Sequence, residues 1–206
     1  MMQASDVSPR MFENDFADFF SRTPWYLVPV VWVPISAGVA YAALAKGLSI
    51  LAFVALFASG LFLWTLAEYW LHREVFHWVP NTWWGPKFHF ILHGVHHEWV
   101  QDPYRLVMPP VAAVIIAMPF FAAFEAAGAA LWALAGVPMG WELALFAGFA
   151  LGYCVYDCTH YFLHHARFTS RTFKRLKAHH MNHHHNKDGR KFGVSNTFWD
   201  TVFGTH

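Results

Sequence analysis

From Trp25 to Ala45 the chain carries no charged residue, and after Lys46 a second uncharged run extends from Gly47 to Ala67. At about 1.5 Å of rise per residue, a run of about 20 residues spans the roughly 30 Å hydrocarbon core of a bilayer. The pattern predicts a helical hairpin through a membrane, with spans over about 25–45 and 47–71 and a turn at Lys46-Gly47. Pro29 and Pro34 fall in the first span, where a bilayer tolerates them better than water does. A second apolar block runs from Leu106 to about Leu163 and is broken at Gly136-Val137-Pro138-Met139-Gly140. That breaker-rich segment divides it into spans over about 108–135 and 141–163. Glu125 interrupts the third span, either as a functional intramembrane acid or as one that snorkels or ends the span.

Charge fixes the orientation. The two turns carry almost no positive residues, whereas the loop from His72 to Arg105 and the C-terminal tail carry nearly all of them. Arg167, Arg171, Lys174, Arg175, Lys177, Lys187, Arg190 and Lys191 all lie near the C-terminus. The positive-inside rule puts that loop, the tail and both termini in the cytoplasm, which requires an even number of spans. The expected fold is an all-α integral membrane protein, a single domain over 1–206. Four transmembrane helices form two hairpins, and a cytosolic helical cap comes from 72–105 and 164–206.

Composition agrees. Charged residues make up 13% and hydrophobic ones 56%, against the roughly 25% charged that a soluble domain uses. The net charge of +1 argues against a nucleic-acid partner. Cys154 and Cys158 share one helix face and read as small buried hydrophobes. No secretory signal is expected, because the first apolar run starts at Trp25, is too long and has no small-residue cleavage site after it.

The chemistry lies in the histidines. There are 15, and all but the terminal His206 cluster in or at the border of the two regions assigned to the cytoplasm. They form four clusters: His72 and His77; His93, His96 and His97, preceded by His89; His160, His164 and His165; and His179, His180, His183, His184 and His185. Residues at i, i+3 and i+4 project from one helix face, so His93, His96 and His97 can aim at one centre. The same holds for His160 with His164, and for His180 with His183 and His184. Imidazole binds iron, zinc, copper or nickel, and ten such donors are too many for one ion, so two metals would share them at about five each. Taken singly, His72 with His77 reads as a pair of interfacial histidines, and the tract at 179–185 as a tag or metal sponge. Four clusters on one membrane face favour a metal centre. His89, His165, His179 and His185 are left as supporting or bystander residues. Ligating imidazoles usually donate their other nitrogen to a carboxylate or carbonyl. Glu68, four before His72, and Asp157, three before His160, are the candidate carboxylates, each with a capping or snorkelling role as the alternative. Trp64, Trp70, Trp83 and Trp84 are candidates to line the membrane border, as aromatic residues do at any interface.

The boxes His72-x4-His77, His93-x2-His96-His97, His160-x3-His164 and His180-x2-His183-His184 resemble those of the fatty acid hydroxylase superfamily. The flanking words Leu106-Val-Met-Pro-Pro110, Tyr156-Asp-Cys-Thr-His-Tyr161, Leu176-Lys-Ala-His-His180 and Phe192-Gly-Val-Ser-Asn-Thr-Phe-Trp-Asp200 are most similar to the fatty acid 2-hydroxylases of sphingolipid acyl chains. The resemblance covers roughly Leu66 to Phe203. It implies a four-helix membrane base with a cytosolic cap, a dimetal site, and oxygen-dependent hydroxylation next to the acyl carboxyl carbon. The expected cofactors are two iron ions with dioxygen as co-substrate; zinc, which binds nitrogen sites more tightly than ferrous iron, is expected in purified protein. Many eukaryotic relatives carry a fused cytochrome b5 domain, and this chain shows no His-Pro-Gly-Gly haem motif. Electrons are therefore expected from a separate cytochrome b5-like or ferredoxin-like donor. The competing readings are a sterol oxidase, a carotenoid-ring hydroxylase or a desaturase. From another class comes a histidine-rich metal transporter or storage protein, which would place its ligands near the bilayer midplane.

Overall fold

The computed structural model describes residues 8–186 and 189–206, and among these no β-strand occurs. The helices are α1 (Asp15–Phe20), α2 (Leu27–Ala45), α3 (Ile50–Trp70), α4 (Gly85–His89), α5 (Val95–Glu98), α6 (Pro110–Ala135), α7 (Trp141–His165), α8 (Arg171–His185) and α9 (Phe198–Val202). Two π-helical turns, Leu71–Phe76 and Phe90–Gly94, continue α3 and α4. The chain forms two compact units. One comprises Tyr26–Thr65 and Pro110–Val155; the other comprises the described residues up to Trp25 with Leu66–Pro109 and Tyr156–His206. We call them the apolar unit and the histidine unit.

In the apolar unit, three helices are long and apolar enough to cross a membrane: Leu27–Ala45, Ile50–Phe76 (which runs on into the histidine unit) and Pro110–Ala135. Their 19, 27 and 26 residues correspond to about 28, 40 and 39 Å of helix. Pro34 and Pro119 lie inside two of them. The fourth expected span corresponds to α7, 25 residues long. It is less apolar than the other three because its far end is rich in histidine, and its part in this unit is mostly buried. Small residues make that burial possible: Ala144, Ala147 and Ala150 are inaccessible. A methyl group added at Gly148 would lie 2.0 Å from the Phe57 carbonyl, and one at Gly60 would lie 2.0 Å from that of Leu145. Only glycine lets α3 and α7 approach so closely. Ser36 donates to the Ala147 carbonyl at 2.8 Å, and Trp32 and Trp64 pack edge-on against Tyr153. Glu142, fully buried, accepts from the Gly140 N–H and faces Lys46 at 3.7 Å. Glu125 is half-buried, and its Oε1 has no hydrogen-bond partner among the described residues.

The histidine unit is held by polar clamps. In α1, capped by Asn14, Asp18 turns inward to Arg105 at 2.8 Å. Arg105 also donates to Ser21, to the Pro9 carbonyl and to Ser8, and it lies over the Trp99 ring. Ser170 caps the start of α8.

Candidate metal centre

His72 and His77 are five residues apart, a spacing that an ordinary α-helix sends to different faces. The π-helical turn beyond α3 brings them together: the His77 N–H reaches the His72 carbonyl at 3.3 Å, and the two rings lie 5.0 Å apart. The second π-helical turn presents His93. Such wide turns recur at functional sites.

Five imidazoles, those of His72, His77, His93, His97 and His183, form one group whose inward nitrogens all lie within 4.8 Å of one another. Within it the Nε2–Nε2 separations are 3.1 Å for His72–His93, 3.3 Å for His72–His77, and 2.9 Å for both His77–His183 and His93–His97. His96, His160, His164 and His184 form a second group on the same criterion. His180 joins it, its Nε2 lying 2.8 Å from that of His164 and 3.0 Å from that of His184. All ten histidines singled out in the sequence are therefore gathered, five and five.

Spacing let each box aim as a whole at one centre; the structure instead divides two of the boxes between the groups. His93 and His97 face the first group while His96 faces the second; His180 and His184 face the second while His183 faces the first. Residues four apart share a face, whereas a neighbour in sequence is turned by about 100°. The two groups consequently share a wall: the His96 and His97 rings are 4.8 Å apart, and those of His97 and His184 stack at 4.2 Å.

Electrostatics readies these rings for metal. Burial, reinforced by repulsion from neighbouring imidazoles, holds His93, His96 and His180 well below the usual histidine range. The same causes bring His77 down to about 3. At neutral pH these rings are uncharged and keep a lone pair free. Both ring nitrogens of His96 and the Nε2 of His160 are buried with no partner among the described residues. With nitrogens about 2.1 Å from an ion, adjacent donors would stand about 3.0 Å apart and opposite ones about 4.2 Å. The neighbouring separations of 2.8–3.3 Å fit adjacent donors, so both groups can hold a transition-metal ion.

Three of the ten rings are held at their outer nitrogen by backbone carbonyls. His72 Nδ1 bonds to the Phe192 carbonyl at 2.5 Å, His183 Nδ1 to that of Arg190 at 2.7 Å, and His164 Nδ1 to that of Val100 at 2.9 Å. Glu68, expected beside His72, accepts instead from the Val194 and Ser195 N–H groups and from the Ser195 hydroxyl. Asp157 accepts from the Met108 N–H at 3.2 Å. His89 bonds to the Phe76 carbonyl and His185 to that of Met181, His165 packs on Tyr161, and His179 bonds to Asp200 at 3.1 Å. Terminal His206 lies 5.4 Å, ring to ring, from His179.

Sequence reasoning missed Asp200 and Arg105. Asp200 is fully buried and gathers four donors: His179, Thr205, and the N–H groups of Phe192 and Gly193. Its place closing the Phe192–Asp200 word was the available signal. For Arg105 the signal was a lone cation just before an apolar block, three residues after Asp102. Of the four tryptophans placed at the membrane border, Trp64 is buried, Trp70 and Trp84 are partly open, and Trp83 is 95% exposed.

A family model described as fatty acid hydroxylase matches residues 57–205. The dihydroceramide fatty acyl 2-hydroxylase FAH1 of Arabidopsis thaliana is 40% identical over 98% of this chain and 81% of its own length. The ceramide very long chain fatty acid hydroxylase SCS7 of Saccharomyces cerevisiae is 41% identical over 97% of this chain and 50% of its own. A solved structure of full-length scs7p, in which only the hydroxylase domain is visible, superposes with a TM-score of 0.84 at 41% identity, covering 95% of this chain and 71% of that one. A family match over most of the chain, with close relatives along nearly all of it, means that the chain belongs to the fatty acid hydroxylase family.

Proposed function

We propose that this chain is a membrane-bound two-metal enzyme that hydroxylates C2 of a fatty acid or of a sphingolipid N-acyl chain. The observation that carries the reading is the pair of five-imidazole groups sharing one wall, in a family whose relatives are named 2-hydroxylases. His72, His77, His93, His97 and His183 would hold one ion; His96, His160, His164, His180 and His184 would hold the other. Iron is the assigned metal, because zinc offers no redox chemistry. When bound, it supplies the activation of dioxygen needed to remove a hydrogen that no side-chain acid or base here could take.

The chain's own residues position and shield. Neutral imidazoles present lone pairs inward. The buried Phe192 ring lies 5.7–5.8 Å from the rings of His72, His77 and His183 and keeps water from that side. His77, His97 and His184 are the half-buried members of the ten, and they mark the side from which the acyl chain and dioxygen would approach. Asp157, through the Met108 N–H, ties the entry to α6 onto the turn of α7 just before His160, a route by which it would orient that ring. One oxygen atom enters the product and the other leaves as water. The two electrons required come from a separate cytochrome b5-like or ferredoxin-like donor.

Four spans, with α7 as the fourth, and a cytoplasmic histidine unit and termini are part of the same reading. The distribution of positive residues supports them. A reporter fused after His206 should be active only as a cytoplasmic marker. The enzymatic test is lipid mass spectrometry after expression, with a compatible donor, in a host that makes no hydroxylated acyl chains. One added oxygen at C2 is expected. Oxygen on a ring or a sterol methyl group would sink the proposal.

A further inference from the structure

The segment Arg190–Ser195 touches one histidine group from outside and does so twice. Its Arg190 carbonyl takes His183 Nδ1 and its Phe192 carbonyl takes His72 Nδ1. Both rings belong to the first group. A neutral imidazole that donates through Nδ1 carries its proton there and leaves Nε2 bare, so these two carbonyls set both tautomer and direction. The second group is built differently. Among the described residues its one carbonyl contact of this kind is Val100 to His164, and the Nδ1 atoms of His96, His180 and His184 are buried with no partner there.

Two buried acids hold the segment itself. Asp200 takes the N–H groups of Phe192 and Gly193, and Glu68 takes those of Val194 and Ser195. Four consecutive N–H groups are thus fixed by two carboxylates, which leaves the carbonyls of the same stretch to face the rings. Lys191, between the two carbonyls that serve histidines, sits at a φ of 64°. That conformation is uncommon for a residue with a side chain and survives only where its surroundings impose it. Its N–H is pinned to the Thr205 carbonyl, whose own N–H and hydroxyl return to Asp200.

We propose that Asp200 and Glu68 are positioning residues for the metal of the first group alone, acting through the backbone of Arg190–Ser195. The proposal rests on the two-ion reading above, and zinc serves as the probe. The two carboxylates differ in what an amide can replace. Glu68→Gln keeps an oxygen for the Val194 and Ser195 N–H groups and can donate its amide to the Ser195 hydroxyl. Asp200→Asn replaces an oxygen that accepts two hydrogen bonds with a group that accepts none, so two donors lose their partner.

The experiment measures zinc release to a chromogenic chelator from the full-length protein in detergent. His160→Ala leaves the first group intact, and His77→Ala leaves the second. In the His160→Ala background, Asp200→Asn should speed zinc release about 10- to 100-fold, the usual effect of losing an outer hydrogen-bond partner, while Glu68→Gln should change it little. In the His77→Ala background Asp200→Asn should change nothing. Thr205→Val, which removes one hydrogen bond to Asp200 and one with the Tyr69 hydroxyl, should show the same selectivity more weakly and serves if Asp200→Asn does not fold. Equal acceleration in both backgrounds, or none in either, overturns the proposal. Fewer than two zinc ions in the parent protein would instead overturn the two-ion reading, so the two failures are distinguishable.

Discussion

Arg105→Met removes the most heavily used cation in the histidine unit. Its guanidinium is almost inaccessible and lies 2.8 Å from Asp18 and 3.6 Å from Asp102, while also donating to Ser21 and the Pro9 carbonyl. Methionine fills much of the volume but leaves two carboxylates facing each other without their cation. Removing one partner of a buried pair typically costs about 3–5 kcal/mol. Here Arg22 still reaches Asp18 at 2.8 Å, so the lower end, about 3 kcal/mol, is expected. At about 2–4 °C per kcal/mol for a chain of this size, the unfolding midpoint should fall by about 6–12 °C. The assay is a thermal melt in detergent micelles. Adding Asp18→Asn and Asp102→Asn to Arg105→Met should recover part of the loss, since no buried charge is then unpaired. A single variant within 2 °C of the parent (at most about 1 kcal/mol), or a triple variant no better than the single, would refute the reasoning. A second consequence concerns the site: the loop that Arg105 anchors supplies the Val100 carbonyl to His164, so zinc in the second group should also be released faster.

His180→Ala removes a donor 2.8 Å from His164 and 3.0 Å from His184; product should vanish and bound metal fall from two ions to one, whereas His206→Ala should leave the product unchanged. Full activity with both ions retained in His180→Ala would count against the ligand assignment. Gly148→Ala places a methyl 2.0 Å from the Phe57 carbonyl and should destabilise by about 1–3 kcal/mol; an unchanged melt would show that α3 and α7 do not approach so closely. Metal-stripped protein should lose stability below about pH 6.5, because unfolding lets the buried histidines take up protons that the fold denies them, down to about pH 3 for His77. Each such ring steepens the loss by up to about 1.4 kcal/mol per pH unit; equal stability at pH 7.5 and pH 5 would contradict this.

Much of this architecture was legible in the sequence because it rests on periodicities that side chains obey. Uncharged runs of about 20 residues predicted α2, α3 and α6 to within a few residues. The i, i+4 pairs His93–His97, His160–His164 and His180–His184 do converge. The pair His72 and His77 belongs to the site through a feature that residue spacing does not announce, an i to i+5 turn. The candidate partners named in the sequence were two carboxylates, Glu68 and Asp157, whereas the partners seen at the outer nitrogens of His72, His164 and His183 are carbonyls. Any residue carries a carbonyl, so no residue type signals which one will be aimed at a ring. Glu68 was picked for its helical distance from His72, and it meets that histidine's support only at one remove, through Val194 and Ser195.

The nesting of the boxes has a consequence for how the two centres can behave. Because the boxes around His96–His97 and His183–His184 each supply both groups, the same short helices set the positions of both sites. No rigid shift of α5 or α8 can change one group of five without changing the other. Had each box served a single ion, the two sites could relax independently as substrate entered. With shared helices and rings stacked at 4.2 Å across the common wall, the distance between the two centres is fixed by side chains packed at van der Waals contact. Adjustment is left to the outer contacts, where the first group answers to Arg190 and Phe192 and the second to Val100. The geometry therefore assigns spacing to the helices and individual tuning to the loops: a substitution that displaces α5 or α8 as a whole should disturb both metals together, whereas removal of a single ligand or a change in a supporting loop should disturb one.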